Sequence, residues 1–365
     1  MQRIPTLDGW RAVAILLVVL HHFSATFFPT EVSYNANSKT HFGAFGVDIF
    51  FGLSGLLITK LLLEEWRSAG AVSLRGFYIR RAFRILPPYL LFLAGLTVTG
   101  LWLTGREAVG SLFFFRNYVP DGLVDRWTVH LWSLSVEEHF YLLWPGLLVW
   151  CGLKRGKSLA AWLALGIAAW RLFESQTSLG AVLDVMPHFR TDLRLDALLW
   201  GCVAAFILDD QRERERFKVQ FRFVAWAACA LITVGCIRFY SLISSVWLAA
   251  LIPILLAGTV VHPEWWISRF LELKPLVWIG RISYSLYLWQ QVFLWPGWKN
   301  PQHFWLVWPW NVIAMFAMAT ASYFVIEKPL LHLGRKLAAR TLVPRVPLLS
   351  AEQFPTRPIR LDHLP

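Results

Sequence analysis

The chain has 365 residues, 56% of them hydrophobic and 16% charged, with a mean hydropathy of +0.49. Soluble domains carry nearer a quarter charged residues, so the composition excludes an ordinary soluble fold and indicates an all-α, polytopic integral membrane bundle. The formal charge of +12 is dispersed between apolar runs rather than gathered into one stripe, which argues against nucleic acid as a partner and for the lipid bilayer.

A spanning helix needs roughly 20 mostly apolar residues. On that measure the sequence predicts about ten transmembrane helices, near 8–28, 44–63, 86–104, 131–152, 158–173, 194–209, 222–239, 243–261, 279–296 and 304–325. The first is expected to stay in the mature protein, because Asp8, Arg11 and His22 stud it and no small-residue cleavage site follows. Arg11 and His22 are eleven residues apart, which at 100° per residue returns to within about 20° of one helix face with a rise of roughly 16 Å. That stripe fits a catalytic pair, and equally a snorkelling arginine above a hydrogen-bonded core histidine. Asp48 lies in the second span.

Before the third span come Arg67, Arg75, Arg80, Arg81 and Arg84; Arg81 and Arg84 are expected to share a helix face just before Pro87 and Pro88 redirect the chain. Paired guanidiniums match phosphate oxygens, and also serve as topogenic charge or lipid-headgroup contacts. Residues 105–130 read as a connection with a short re-entrant or interfacial piece at 111–115. Glu137 and Glu138 fall in the fourth span, and Arg194 and Asp196 open the sixth. Further basic stretches at 154–157 and 212–222 fall on the same side as the arginine cluster, as does the tail with Lys328, Arg335, Lys336, Arg340 and Arg345. The positive-inside rule therefore puts both termini in the cytoplasm.

Residues 1–330 form the expected membrane unit, residues 265–278 an interfacial helix, and residues 331–365 a basic, loosely ordered cytoplasmic tail. The tryptophans Trp289, Trp295, Trp298, Trp305, Trp308 and Trp310 suit an interfacial aromatic belt, with stacking on sugar rings as the alternative. Cys151, Cys202, Cys229 and Cys236 show neither zinc spacing nor a disulfide framework, and no metal is expected. No P-loop or dinucleotide fingerprint occurs.

On this topology His22, Glu137, Glu138, Asp48, Arg194 and Asp196 share the outer half of the bilayer, which predicts a polar chamber if their helices are neighbours. A carboxylate beside an imidazole fixes its tautomer and raises its basicity. The alternative is helix–helix hydrogen bonding. At the level of function, a transporter or flippase of a glycan or lipid is the competing class, since buried charges also mark translocation paths.

The ordered motifs resemble those of the acyltransferase-3 family of membrane O-acyltransferases. They are Leu7-Asp8-Gly9-Trp10-Arg11 with His22; Gly46-Val47-Asp48 with Ser54-Gly55; Arg81-x-x-Arg84; Trp132-Ser133-Leu134 through Glu137-Glu138; Asp192-x-Arg194-x-Asp196; Ser283-Tyr284-Ser285-Leu286-Tyr287; and Ile326-Glu327-Lys328-Pro329. The resemblance implies a bacterial multi-pass protein of the cytoplasmic membrane that moves an acyl group, with acetyl the expected one, from acyl-CoA to a hydroxyl-bearing acceptor such as a carbohydrate, envelope glycan, glycolipid or secreted small molecule. It implies His22 as the catalytic residue, with Glu138, Glu137 and Asp48 supporting it. Arg11, Arg80, Arg81 and Arg84 are expected to serve acyl-CoA, and Arg194, Asp196 and Tyr284 the acceptor side. Two departures stand out: His139 where the family has glutamine, and Gln290 where it often has histidine. Many relatives continue into an extracytoplasmic hydrolase-like domain, for which the residues after the last motif are too few.

Overall fold

The computed structural model describes residues 3–27, 42–100, 105–120, 127–177, 185, 187–239, 241–294 and 303–341. Every regular element among them is helical. In chain order they are α1 (Pro5–Phe27), α2 (Phe42–Ala69), α3 (Leu74–Val98), α4 (Gly105–Leu112), α5 (Leu131–Cys151), α6 (Gly156–Thr177), α7 (Leu195–Asp209), α8 (Gln211–Gln220), α9 (Phe223–Arg238), α10 (Leu242–Val261), α11 (Trp266–Leu271), α12 (Lys274–Phe293), α13 (Trp310–Ser322) and α14 (Lys328–Ala339).

Among the described residues five helical stretches are long and apolar enough to cross a bilayer, and a sixth arises if α8 and α9, bent by 80° at their junction, form one broken span. The chain is thus a multi-pass membrane protein. The sequence reading gave ten spans; α5, α6, α7 and α12 occupy four of those places, but α7 has only 15 residues and α5 carries Glu137, Glu138 and His139. Of these four, α7 is buried along most of its length, α6 turns small and polar residues inward, and both α5 and α6 turn large apolar ones such as Trp150 and Trp162 outward. Large apolar side chains such as Val98, Val224 and Leu231 also project outward from the bundle.

Three further expectations change. Pro87 and Pro88 do not redirect the chain: α3 runs through them, so the arginine cluster and the third span are one helix. The prolines lack the N–H groups that would reach Phe83 and Arg84, and the Tyr284 hydroxyl donates at 2.9 Å to the neighbouring Ile85 carbonyl. Residues 331–339, expected in a loose tail, are the helical α14, which continues from α13 through a π-turn at Tyr323–Glu327. The interfacial helix expected over 265–278 is the short α11, and α12 already begins at Lys274. Residues 342–365, Trp295 and Trp298 lie outside the described residues.

Glycines set the closest helix approaches. A Cβ on Gly55 would come 1.8 Å from the Leu198 carbonyl oxygen, and one on Gly201 2.3 Å from that of Gly52, so α2 and α7 touch backbone to backbone in antiparallel register. Gly280 of α12 meets the Asp8 carbonyl of α1 in the same way. At one end of the bundle the basic segments are stitched together. Arg67 pairs with Asp209 at 2.5 Å, Arg80 with Glu65 at 2.6 Å and Lys157 with Glu213 at 2.5 Å, while Ser73 lies 3.2 Å from the Thr341 hydroxyl.

Candidate active site

A cavity of about 80 Å³, open on one side, lies among α1, α2, α3, α5 and α12. Helical spacing builds its walls. Ser133, Glu137 and Tyr141 recur every four residues on α5, Arg81 and Arg84 lie three apart on α3, and Tyr284 and Tyr287 do so on α12; Arg11 and Ser54 complete the polar lining. The Arg81 guanidinium lies 4.5 Å from the centre of the Tyr141 ring. Ser54 donates to Glu137 Oε1 at 2.9 Å, and the Tyr141 hydroxyl lies 2.9 Å from both Glu137 Oε2 and Ser54 Oγ.

Among the described residues no carboxylate comes within salt-bridge distance of Arg81 or Arg84. The nearest acidic groups, Glu137 and Glu138 for Arg81 and Glu327 for Arg84, act on them only at longer range. Glu327 is buried in the π-turn and accepts from Ser285 at 3.0 Å. Arg11 keeps a loose 3.6 Å contact with Asp8, whose other oxygen is taken by Arg3 at 2.6 Å. Two cationic side chains thus line the cavity without an ion-pair partner among the described residues.

His22 lies farther along α1 and does not line this cavity. Its Nδ1 is 2.9 Å from the Val18 carbonyl oxygen, which can only accept, so in the neutral ring the proton sits on Nδ1 and the lone pair on Nε2. Gln290 and His130 are its neighbours across the helix interface. Tyr287 links this region to the cavity: its hydroxyl lies 2.6 Å from the His130 carbonyl oxygen and 2.5 Å from Ser133 Oγ, and its ring packs 5.4 Å from the His130 ring. A column of polar groups therefore runs from the arginines through Glu137, Ser133, Tyr287 and His130 to His22.

The carboxylates expected beside the imidazole are engaged elsewhere. Asp48 is paired with Arg194, and Asp196 with Arg171, in a buried layer that also takes in Ser245. The structure therefore brings Asp48, Arg194 and Asp196 to one another. Glu137 faces the cavity, and Glu138 sits near Arg81, Tyr89 and Tyr284. Arg80, expected with its two arginine neighbours, turns away to Glu65, which also accepts from the Ser73 N–H at 2.7 Å.

Sequence reasoning missed Arg171, Tyr141, Tyr287 and His130 as site or network residues. Counting four residues either way from Glu137 finds Ser133 and Tyr141, so that stripe was available. Nothing local marks Arg171: it stands in an apolar run like any snorkelling arginine, and its partner is 25 residues away.

The acyltransferase-3 family model, described as an acyltransferase domain, matches residues 4–327. Among curated relatives, the peptidoglycan O-acetyltransferase OatA of Listeria monocytogenes is 28% identical over 323 residues, covering 78% of this chain and 48% of that protein. The O-acetyltransferase OatA of Staphylococcus aureus (strain NCTC 8325) is 29% identical over 371 residues, covering 92% of this chain and 58% of its own. The chain spans about half the length of the curated relatives it matches, and no solved structure matches it. With a family match over nearly its whole length and the family's arginines gathered at an internal cavity, the chain belongs to the acyltransferase-3 family.

Proposed function

We propose that the chain is a membrane O-acetyltransferase that takes its acyl group from acyl-CoA and gives it to a hydroxyl of an envelope carbohydrate. The observation that carries the donor assignment is the pair Arg81 and Arg84, which line the cavity without a carboxylate in salt-bridge reach among the described residues. Two like charges held side by side at a partly enclosed pocket repel one another and favour an anionic ligand between them, and the forked donors of arginine suit phosphate oxygens. Names borne by the relatives support the reaction, and that of the Listeria protein supports a glycan acceptor.

In this reading the CoA phosphates enter from the cytoplasmic end, where the basic segments meet, and lie against Arg81, Arg84 and Arg11. The pantetheine arm follows the polar column past Ser133 and Tyr287 until the thioester lies beside His22, which is the positioning contribution of the bundle. His22 Nε2 takes the acceptor hydroxyl proton while the oxygen forms a bond to the thioester carbon. The C–S bond then breaks, and the CoA thiolate leaves with the electron pair and takes that proton. A route in which His22 Nε2 is itself acylated first is distinguished by trapping an acyl-protein without acceptor.

The test uses the full chain in lipid nanodiscs with labelled acetyl-CoA and solubilised envelope glycan. Thiol release and label transfer are expected in the parent protein and lost by about 10² to 10⁴-fold in His22→Ala, with the unfolding midpoint retained. Undiminished turnover in His22→Ala overturns the base assignment, and movement of glycan across the bilayer without thiol release favours a flippase.

A further inference from the structure

The chemistry above needs a donor for the negative charge that develops on the thioester oxygen, and the arginines do not supply one at His22. Arg194 is committed to Asp48, and Arg11 is about 16 Å down α1. Two other groups stand beside the imidazole. Gln290 lies against His22, one turn beyond Tyr287 on α12, and is fully buried. His130 is 3% exposed, with its ring set edge-on to Phe92 at 5.6 Å and tilted on Tyr287 at 5.4 Å; its backbone carbonyl is held by the Tyr287 hydroxyl.

Both side chains hold hydrogen-bonding capacity that the bundle leaves largely unused. His130 approaches the Leu288 backbone and Gln290 approaches His22, yet neither ring nitrogen of the one and neither amide atom of the other makes a well-formed hydrogen bond among the described residues. A neutral imidazole always carries one N–H and a primary amide two, and buried donors in native folds nearly always find partners. Donors that are fixed by packing, shielded from water and not committed to a strong internal hydrogen bond are what a developing oxyanion requires.

We infer that His130 and Gln290 form the oxyanion hole of the transfer reaction, their N–H groups converging on the thioester carbonyl oxygen at His22. The inference rests on the reading of His22 as the base that acts at a thioester. As the acceptor oxygen adds to the carbonyl carbon, the carbonyl π pair moves onto oxygen, where the two N–H groups hold it. It returns to re-form the carbonyl as the C–S bond breaks, and neither His130 nor Gln290 gains or loses a proton.

The test uses the full chain in nanodiscs and a ketone analogue of acetyl-CoA in which a methylene replaces the sulfur and the carbonyl carbon is ¹³C. Bound to the parent protein, the carbonyl stretch moves to lower frequency. In His130→Phe and in Gln290→Leu it moves back toward the free value, and kcat with acetyl-CoA falls about 100-fold in each while KM stays within about threefold. Gln290→His, which restores an N–H at that place, recovers the carbonyl shift. A band and a kcat unchanged in both variants overturn the inference. If His130→Phe does not fold, Gln290→Leu decides alone. Turnover that survives His22→Ala sinks the parent reading, whereas turnover that dies with His22→Ala but is indifferent to Gln290→Leu sinks only the oxyanion hole.

Discussion

The molecule holds two groups of arginines among its helices, one buried and one partly exposed at the cavity, and treats them in opposite ways. In the layer around α6 and α7, Arg171 has Asp196, Arg194 has Asp48, and Arg190 has Glu174 at 2.8 Å and Asp192 at 2.6 Å; Arg116 reaches Glu107 at 3.5 Å and Thr128 at 3.0 Å. At the cavity, Arg81 has the Phe77 and Tyr141 rings, and both Arg81 and Arg84 have distant carboxylates but no ion-pair partner among the described residues. Guanidiniums of the first kind are compensated within the protein and hold helices in place. Those of the second kind are left for something that arrives. What separates a binding arginine from a structural one is the presence of its own acid, and the arginines that lack one are also those that the cavity leaves partly exposed.

The largest effect expected from this contrast lies in the compensated layer. Arg171→Met leaves Asp196 buried without its cation and should lower the unfolding free energy by about 3–5 kcal/mol, whereas the double variant Arg171→Met/Asp196→Leu should recover most of that loss. A double-mutant cycle in detergent measures both. Equal losses in the single and double variants break the comparison.

Next comes the cavity. Arg81→Ala and Arg84→Ala should each weaken acetyl-CoA binding by about 1.5–3 kcal/mol, roughly 10- to 100-fold, because hydrogen bonds to a charged group are removed. The unfolding midpoint should hold or rise, since two like charges are parted. A midpoint that falls as far as in Arg171→Met would place these arginines in the structural group.

A smaller loss is expected where the two groups share a scaffold. Gly55 and Gly201 let α2 approach α7 closely enough for Asp48 to meet Arg194. Gly55→Ala puts a methyl against the Leu198 carbonyl and should cost about 1–3 kcal/mol of stability with little change in donor affinity. Thermal unfolding beside acetyl-CoA titration separates the two.

Much of the membrane architecture was legible because apolar runs need no partner to be recognised: α1, α2 and α10 lie where hydropathy placed them. The limit was reached where a helix is defined by its neighbours. Pro87 and Pro88 read locally as a break, yet α3 continues, with Tyr284 from a helix 199 residues away donating nearby. At the site, the motifs named Arg11, Arg81, Arg84, Glu137 and Tyr284, which the structure gathers around one cavity. They could not show that Arg80 serves Glu65 or that Asp48 serves Arg194, because pairing depends on which helix faces which. His130 was invisible for a related reason: a histidine at a helix start looks like any polar cap until its unsatisfied nitrogens are seen.

The smallest effect concerns the exposed rim of the compensated layer, where Asp192 is half-buried between Arg190 and Trp170. Burial by itself would raise its pKa, but hydrogen bonds from Arg190 and Trp170 and the Arg190 charge outweigh it and hold the carboxyl below the ordinary value of 3.8. A carboxylate whose pKa is depressed by folding binds its proton more readily when unfolded, so it adds stability above pH 3.8 that is lost as pH falls through the lower folded value. The unfolding midpoint should therefore drop slightly on acidification below about pH 4, and Asp192→Asn should flatten that part of the profile. Because the group is half in solvent, added salt should diminish the difference, while the fully buried Arg171–Asp196 pair should be indifferent to it. A salt response of equal size at both places would mean that the layer is wet throughout, and its arginines would then no longer differ in kind from those of the cavity.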